Sequence, residues 1–185
     1  RYDILNGDYD INAIPDAAPG PVTASKDRMH VSEFSPRIGA LFQPTPLHSF
    51  HVSAGSSFNT SGDAYSLGAT NVNTPPEKSR NIEIGGKFEL FDDKASLGVA
   101  LFRSEKYNER NTDEPTADSY LLSGKRHATG MEFNFAGRLT PKWELFYNHT
   151  WIPTAKIDNG TTTGNAQREG DRPALTPKHS ASLWT

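Results

Sequence analysis

Apolar and polar residues alternate with period two along most of this chain. Ile82, Ile84, Gly86, Phe88 and Leu90 interleave with Glu83, Gly85, Lys87 and Glu89. After Asp92-Asp93, Ala95, Leu97, Val99 and Leu101 interleave with Ser96, Gly98 and Ala100. Met131, Phe133, Phe135 and Leu139 alternate with Glu132, Asn134 and Arg138, and Trp143, Leu145, Tyr147 and Trp151 with Glu144, Asn148 and Thr150. Ile38, Ala40 and Phe42 precede a short turn, and Phe50, Val52 and Ala54 follow it. In an extended strand successive side chains point to opposite faces, so each segment gains one apolar and one polar face. As helices the same segments would scatter their apolar residues around the cylinder and carry Glu83 and Lys87 with them. Prolines at 36, 44, 46, 75, 76, 115, 141, 153, 173 and 177 fall near strand ends or in connections, where a missing N–H costs little.

The gaps between strands are of two kinds. Tight turns are expected at Pro44-Thr45-Pro46, Asp92-Asp93 and Thr140-Pro141, whereas long polar connections run from Asn59 to Lys78, Asn108 to Ser119 and Thr154 to Lys178. Short turns at one edge of a sheet and long loops at the other are the pattern of an outer-membrane barrel. The pattern predicts strands at Arg1–Leu5, Phe34–Gln43, His48–Phe58, Arg80–Phe91, Lys94–Tyr107, Tyr120–Arg138, Lys142–Pro153 and Lys178–Thr185. A strand of about twelve residues tilted by about 45° spans roughly 28 Å, close to the hydrocarbon thickness. The fold class expected is therefore all-β, an antiparallel transmembrane β-barrel segment. Such a sheet must close on itself, because unpaired backbone groups in hydrocarbon cost several kcal/mol each. The start at Arg1-Tyr2-Asp3 and the end in mid-pattern at Leu183-Trp184-Thr185 suggest a chain cut at both ends, an arc of a larger barrel.

Composition narrows the function classes. Only 35% of the 185 residues are hydrophobic, low for a soluble strand-rich domain but compatible with a wet lumen and polar loops. Ten Phe, six Tyr and three Trp argue against disorder. Phe91 and Trp143 beside tight turns, and Tyr107, Tyr120, Trp151 and Trp184 toward the other edge or the end, suit membrane-interface belts. The net charge of −3 comes from dispersed residues, with no basic block for nucleic acid. The absence of cysteine excludes disulfides and thiolate metal sites.

No catalytic constellation emerges, so the chain is read as not an enzyme. There is no Gly-x-Ser-x-Gly elbow, no phosphate-binding glycine loop and no HExxH. His30, His48, His51, His127, His149 and His179 lack ligand spacing, and no metal or cofactor is expected. Glu83, Lys87, Glu89, Glu132, Asn134 and Arg138 belong to the polar face and are assigned to the lumen, because a charge facing lipid costs roughly 2–4 kcal/mol at midplane. Arg37, Arg80, Arg103 and Arg110 are candidates for attracting an anionic chelate. Tyr65, Asp63 and Asn71 lie in the long loop Asn59–Lys78, a candidate capture element. No single ligand-binding residue can be chosen on these grounds.

Several segments resemble the barrel domain of TonB-dependent outer-membrane receptors, especially the siderophore branch. They are Phe34 to Pro44 (FSPRIGALFQP), Pro76 to Gly85 (PEKSRNIEIG), Ala100 to Asn108 (ALFRSEKYN), Gly124 to Glu132 (GKRHATGME) and Pro177 to Trp184 (PKHSASLW). The resemblance weakens around Asn12–Arg28 and Thr161–Asp171. It implies a bacterial outer-membrane barrel of 22 strands, of which this chain would supply about eight, without the plug domain. It further implies uptake of a ferric siderophore, an iron(III) chelate, driven by the inner-membrane TonB complex through the N-terminal region. Its surroundings would be outer-membrane lipid, with no nucleic acid. A passive porin-like channel and a soluble carbohydrate-binding β-sandwich are the alternatives.

Overall fold

The computed structural model describes residues 1–13, 20, 23–60, 75–109, 124–160 and 168–185. Within them lie nine strands: β1 (Tyr2–Ala13), β2 (Thr23–Phe34), β3 (Arg37–Thr45), β4 (His48–Asn59), β5 (Glu77–Leu90), β6 (Ala95–Glu109), β7 (Gly124–Thr140), β8 (Trp143–Asn159) and β9 (His179–Trp184). Strands β3 to β9 form one sheet in chain order, every neighbour antiparallel, and β1 pairs with β2 in a separate two-stranded ladder. Tight turns enforce the β3–β4, β5–β6 and β7–β8 pairings, and the longer connections also join neighbouring strands.

Two expectations are corrected. Residues around Asn12–Arg28, expected as loop, include the end of β1 and the first half of β2. This hairpin is held by polar pairs, among them Arg28 to Asp8 at 2.7 Å and Lys26 to Asp10 at 3.5 Å, so no apolar period marks it. Strand β8 was expected to end at Pro153 but runs to Asn159. A register irregularity between its pairs at Thr129 and Met131 absorbs the proline. Among the described residues the strands thus number nine, against the eight expected.

Strands β2 and β3 are nearly continuous, broken only at Ser35-Pro36. The Ser35 amide bonds to the Arg1 carbonyl at 2.8 Å, and the Pro36 carbonyl accepts from the Ser56 amide at 2.9 Å. The break passes the strand from one partner, β1, to the other, β4.

Register fixes the faces. One row across the sheet reads Ala40, Val52, Ile84, Leu101, Met131, Trp151, His179, and the next toward the tight turns reads Phe42, Phe50, Gly86, Val99, Phe133, His149, Ala181. The opposite face carries Leu41, His51, Gly85, Ala100, Glu132, Thr150, Ser180. Among the described residues no second layer covers the apolar face: Ile38 is 74% exposed, and Ile82 and Ile84 are 57% exposed. The buried apolar residues among those described are Met29, Ala95, Ala155 and Ile157, far too few for a soluble core. A face this large and apolar needs a non-aqueous partner, which here is lipid. The single-layer sheet also removes the sandwich reading.

Close approach of neighbouring groups explains two glycines. A side chain at Gly130 would strike the Trp151 carbonyl at 2.6 Å and the Phe102 ring at 2.8 Å, so the ring of Phe102 covers the gap instead. Phe50 and Phe88 cover Gly86 in the same way on the lipid face. At the β5–β6 turn Phe91, Asp92 and Asp93 all take left-handed φ, between 56° and 63°, which asparagine and aspartate tolerate better than most.

Candidate functional site

The inward face is built from parity. Odd-numbered residues of β5 and even-numbered residues of β6 and β7 share it, which brings Glu83, Lys87, Glu89, Glu132 and Asn134 together as the alternation predicts. His51 joins them from β4, its Nε2 donating to Glu83 Oε1 at 2.8 Å. The ring passes over Gly85, where an added Cβ would lie 2.5 Å from it. Lys87 pairs with Glu89 at 2.7 Å, while Glu132 makes no hydrogen bond or ion pair among the described residues. Gly98, Ala100 and Ala136 are small, so the wall dips there into an open trough of about 400 Å³ bordered by His51, Glu83 and Glu132. Asn148 donates across to Ser182 at 3.3 Å and extends the polar surface to β9. Arg138 lies near the tight turns, its Nε donating to Glu144 at 2.9 Å.

Toward the long-loop edge the inward face carries an ion-pair network that the sequence alone did not single out. Lys106 reaches Glu77 at 3.0 Å and Glu109 at 3.1 Å, and Arg126 also pairs with Glu109. Glu109 is 4% exposed, so two cations compensate the burial of its charge. Asn108 makes this possible: its φ of 54° produces an irregularity that brings Glu109 opposite Gly124. Parity with Glu83 and Glu132 would have flagged Lys106 and Arg126; the bulge hides Glu109.

The arginines proposed to attract a chelate are divided. Arg37 is on the inward face, beside Ser53, Gly55 and Glu83. Arg80 and Arg103 are outward, in register with Glu105 and Ile82 respectively, and do not line the lumen. Arg110 and the loop residues Tyr65, Asp63 and Asn71 lie outside the described residues. Trp151 and Trp184 also differ from expectation: Trp151 stands among the apolar rows, and Trp184 faces Phe146 on the inward side.

The outward face changes character beyond the apolar rows. The row Ser56, Arg80, Glu105, His127, Lys156 is polar throughout. Arg103 donates to Glu105 from Nε at 3.0 Å and from Nη2 at 2.9 Å. That hydrogen bond is the main cause holding the Glu105 carboxyl, above the apolar belt, below its usual range; Lys125 and His127 add to it. His127 Nδ1 bonds to Asp158 at 2.7 Å. The remaining histidines are dispersed: His30 meets Asn6, His48 meets Thr45, and His149 stacks on His179.

A meandering sheet with an apolar outer face, a polar inner face and one edge of short turns defines the wall of an outer-membrane β-barrel. The family model of the TonB-dependent receptor-like β-barrel matches residues 1–185, and the chain belongs to that family. A probable TonB-dependent siderophore receptor, PiuA of Acinetobacter baumannii, is 29% identical over 160 residues, covering 80% of this chain and 21% of that protein. The catecholate siderophore receptor Fiu of Escherichia coli K12 is 28% identical over 178 residues, 91% of this chain and 23% of that one. The metal-pseudopaline receptor CntO of Pseudomonas aeruginosa is 30% identical over 149 residues, 80% of this chain and 20% of that one. The crystal structure of PiuA superposes with a TM-score of 0.77 at 23% identity, over 99% of this chain and 27% of that structure. The closed form of Fiu gives 0.76 at 24% identity, over 99% and 28%. The chain thus spans about a fifth of the length of these curated relatives.

Proposed function

We propose that this chain is a wall segment of a longer TonB-dependent receptor that imports a ferric siderophore across the outer membrane. The observation that carries this reading is the similarity to siderophore receptors along most of the chain. In this reading a plug domain fills the lumen and the inner-membrane TonB complex supplies the drive. The wall contributes what its residues can do. Glu83, Glu132, Asn134 and Asn148 offer acceptors and donors to whatever occupies the lumen, and the trough gives that occupant room. The Glu77–Lys106–Glu109–Arg126 network ties β5, β6 and β7 where the sheet rises beyond the membrane. In this role the wall binds and guides.

The test is growth under iron limitation. The full-length gene, placed in cells lacking their own siderophore receptors, is expected to restore growth on one class of ferric siderophore and uptake of labelled iron. Uptake is expected to vanish when TonB is deleted. Uptake that survives TonB loss would instead indicate a passive channel. A second cargo has a specific observation behind it, the 30% identity to a receptor named for a metal-pseudopaline complex. Labelled chelates of other transition metals tested beside iron separate the two cargoes.

A further inference from the structure

Above the apolar belt, the outward face holds a crevice that no part of the transport reading uses. Its floor is Ile38, Ala54 and Ile82, the last apolar row, and its rim carries Lys78, Arg80 and Tyr107. The cavity is about 440 Å³ and lies between the Ser35-Pro36 bend and strands β4 and β5. Register places Lys78 and Lys125 on either side of Tyr107, and Arg80 diagonal to it. The Arg80 guanidinium stands 5.1 Å from the centre of the Tyr107 ring. We infer that this cluster binds the phosphate headgroup of a membrane lipid, with the lipid's acyl chains lying along the apolar floor.

Three observations carry the inference. The first is height: on β5 side chains change from apolar to charged within one row, between Ile82 and Arg80, and on β6 Arg103 already stands in the Ile82 row, which is where hydrocarbon gives way to headgroups. The second is charge. Lys78, Arg80, Arg103 and Lys125 share this patch with the carboxylates of Glu33 and Glu105. Lys78 is taken by Glu33 at 2.6 Å and Arg103 by Glu105, but neither Arg80 nor Lys125 has an ion pair among the described residues. The third is preorganisation, since stacking on Tyr107 orients a planar donor fork suited to two phosphate oxygens. The chemistry fits an anion that arrives with apolar chains attached. A freely diffusing chelate would need the other face. The inference rests on the outward face touching lipid, but not on the identity of the cargo.

The experiment uses the full-length receptor in phosphatidylcholine bilayers containing a minority of phosphatidylglycerol. Native mass spectrometry counts the lipids retained after release. Wild type is expected to retain phosphatidylglycerol above its bilayer proportion. The Arg80→Gln/Lys125→Gln variant should lose that enrichment by about fivefold per cation removed, the factor corresponding to roughly 1 kcal/mol each. Arg80→Lys/Lys125→Arg should keep most of it, and Lys26→Gln, on the exposed hairpin, all of it. Heat-modified migration on gels verifies that each variant is folded. Unchanged enrichment in the double glutamine variant overturns the inference. So does equal loss in the charge-conserving variant, which would indicate packing rather than charge. Displacement of the lipid by millimolar inorganic phosphate would assign the site to free phosphate and overturn the lipid source. Iron uptake measured on the same variants keeps failure of the transport reading separate, because lipid counts do not depend on cargo.

Discussion

At Gly85 the inner wall has no room for a side chain, for two reasons of unequal weight. An added Cβ would meet the His51 ring at 2.5 Å and the Val99 carbonyl oxygen at 2.8 Å. A ring on two rotatable bonds can swing aside, but a ladder carbonyl cannot. Gly85→Ala is therefore expected to destabilise the full-length barrel by about 1–3 kcal/mol, the range for overpacking, in urea unfolding from lipid vesicles. His51→Ala in the same background should recover little, because the Val99 contact remains. Full recovery would show that the ring alone sets the limit. Residue-scale legibility follows the same division. Alternation was enough to assign Glu83, Glu89 and Glu132 inward, since parity is a local property of a strand. The His51–Glu83 contact needed the β4–β5 register, which places Ser53 opposite Glu83 and His51 one row away, opposite Gly85. Arg80 and Arg103 show the converse: they were grouped by charge when their parity with Ile82 and Leu101 already placed them outward.

Elements were legible where an apolar period exists and obscure where polar chemistry replaces it. Strands β4 to β8 carry Ile, Leu, Val, Phe and Trp at alternate positions and were found with ends displaced by a few residues. The β1–β2 hairpin, with Asp8 against Arg28 and Asp10 against Lys26, offers no such period and was missed over much of its length. The upper half of β8 was hidden for a further reason: its edge is covered by irregular chain rather than by a strand. The Ile157 amide donates to the Asp171 carbonyl at 2.9 Å, and Gly170 donates back to Ile157 at 2.9 Å. Arg172 completes the cover. Its guanidinium reaches the carbonyls of Thr176 at 2.6 Å, Ile152 at 2.7 Å and Pro177 at 3.2 Å, in a stretch where Pro153, Pro173 and Pro177 have no N–H to give. Removing a charged donor from such carbonyls costs about 1.5–3 kcal/mol per bond. Arg172→Ala should therefore raise amide exchange at Ile152 and Ile157 by about tenfold or more. Arg172→Lys should restore only part of the protection, because one ammonium cannot serve three carbonyls in a fixed fork. Exchange unchanged in Arg172→Ala would mean that the backbone bonds alone hold the segment.

At the scale of the molecule, everything depends on which medium each face meets. The sheet is one layer thick, and its strands of 14 to 17 residues in β5 to β8 exceed what ordinary soluble sheets use. Fifteen residues of β6 extend about 50 Å, or roughly 35 Å of height when tilted by about 45°, enough to cross the hydrocarbon and emerge on one side. The emergent part is where the outward face becomes charged, at Arg80, Glu105 and His127. Neighbouring positions on β7 turn this into a measurement. Phe133 and Asn134 sit at the same height, one facing outward beside Val99 and the other inward opposite Gly98. Phe133→Arg places a guanidinium in lipid and is expected to cost about 2–4 kcal/mol in folding free energy. Asn134→Arg points the same group into the watery trough beside Glu132 and should leave stability within about 0.5 kcal/mol, the usual range for exposed substitutions. Reversible urea unfolding of the full-length receptor in vesicles reads both. If the two variants lose equal stability, the faces are not immersed in different media and the sheet is not a membrane wall. If Asn134→Arg is the costlier, an occupant already fills the trough against that strand, and the wall is in contact with it at this height.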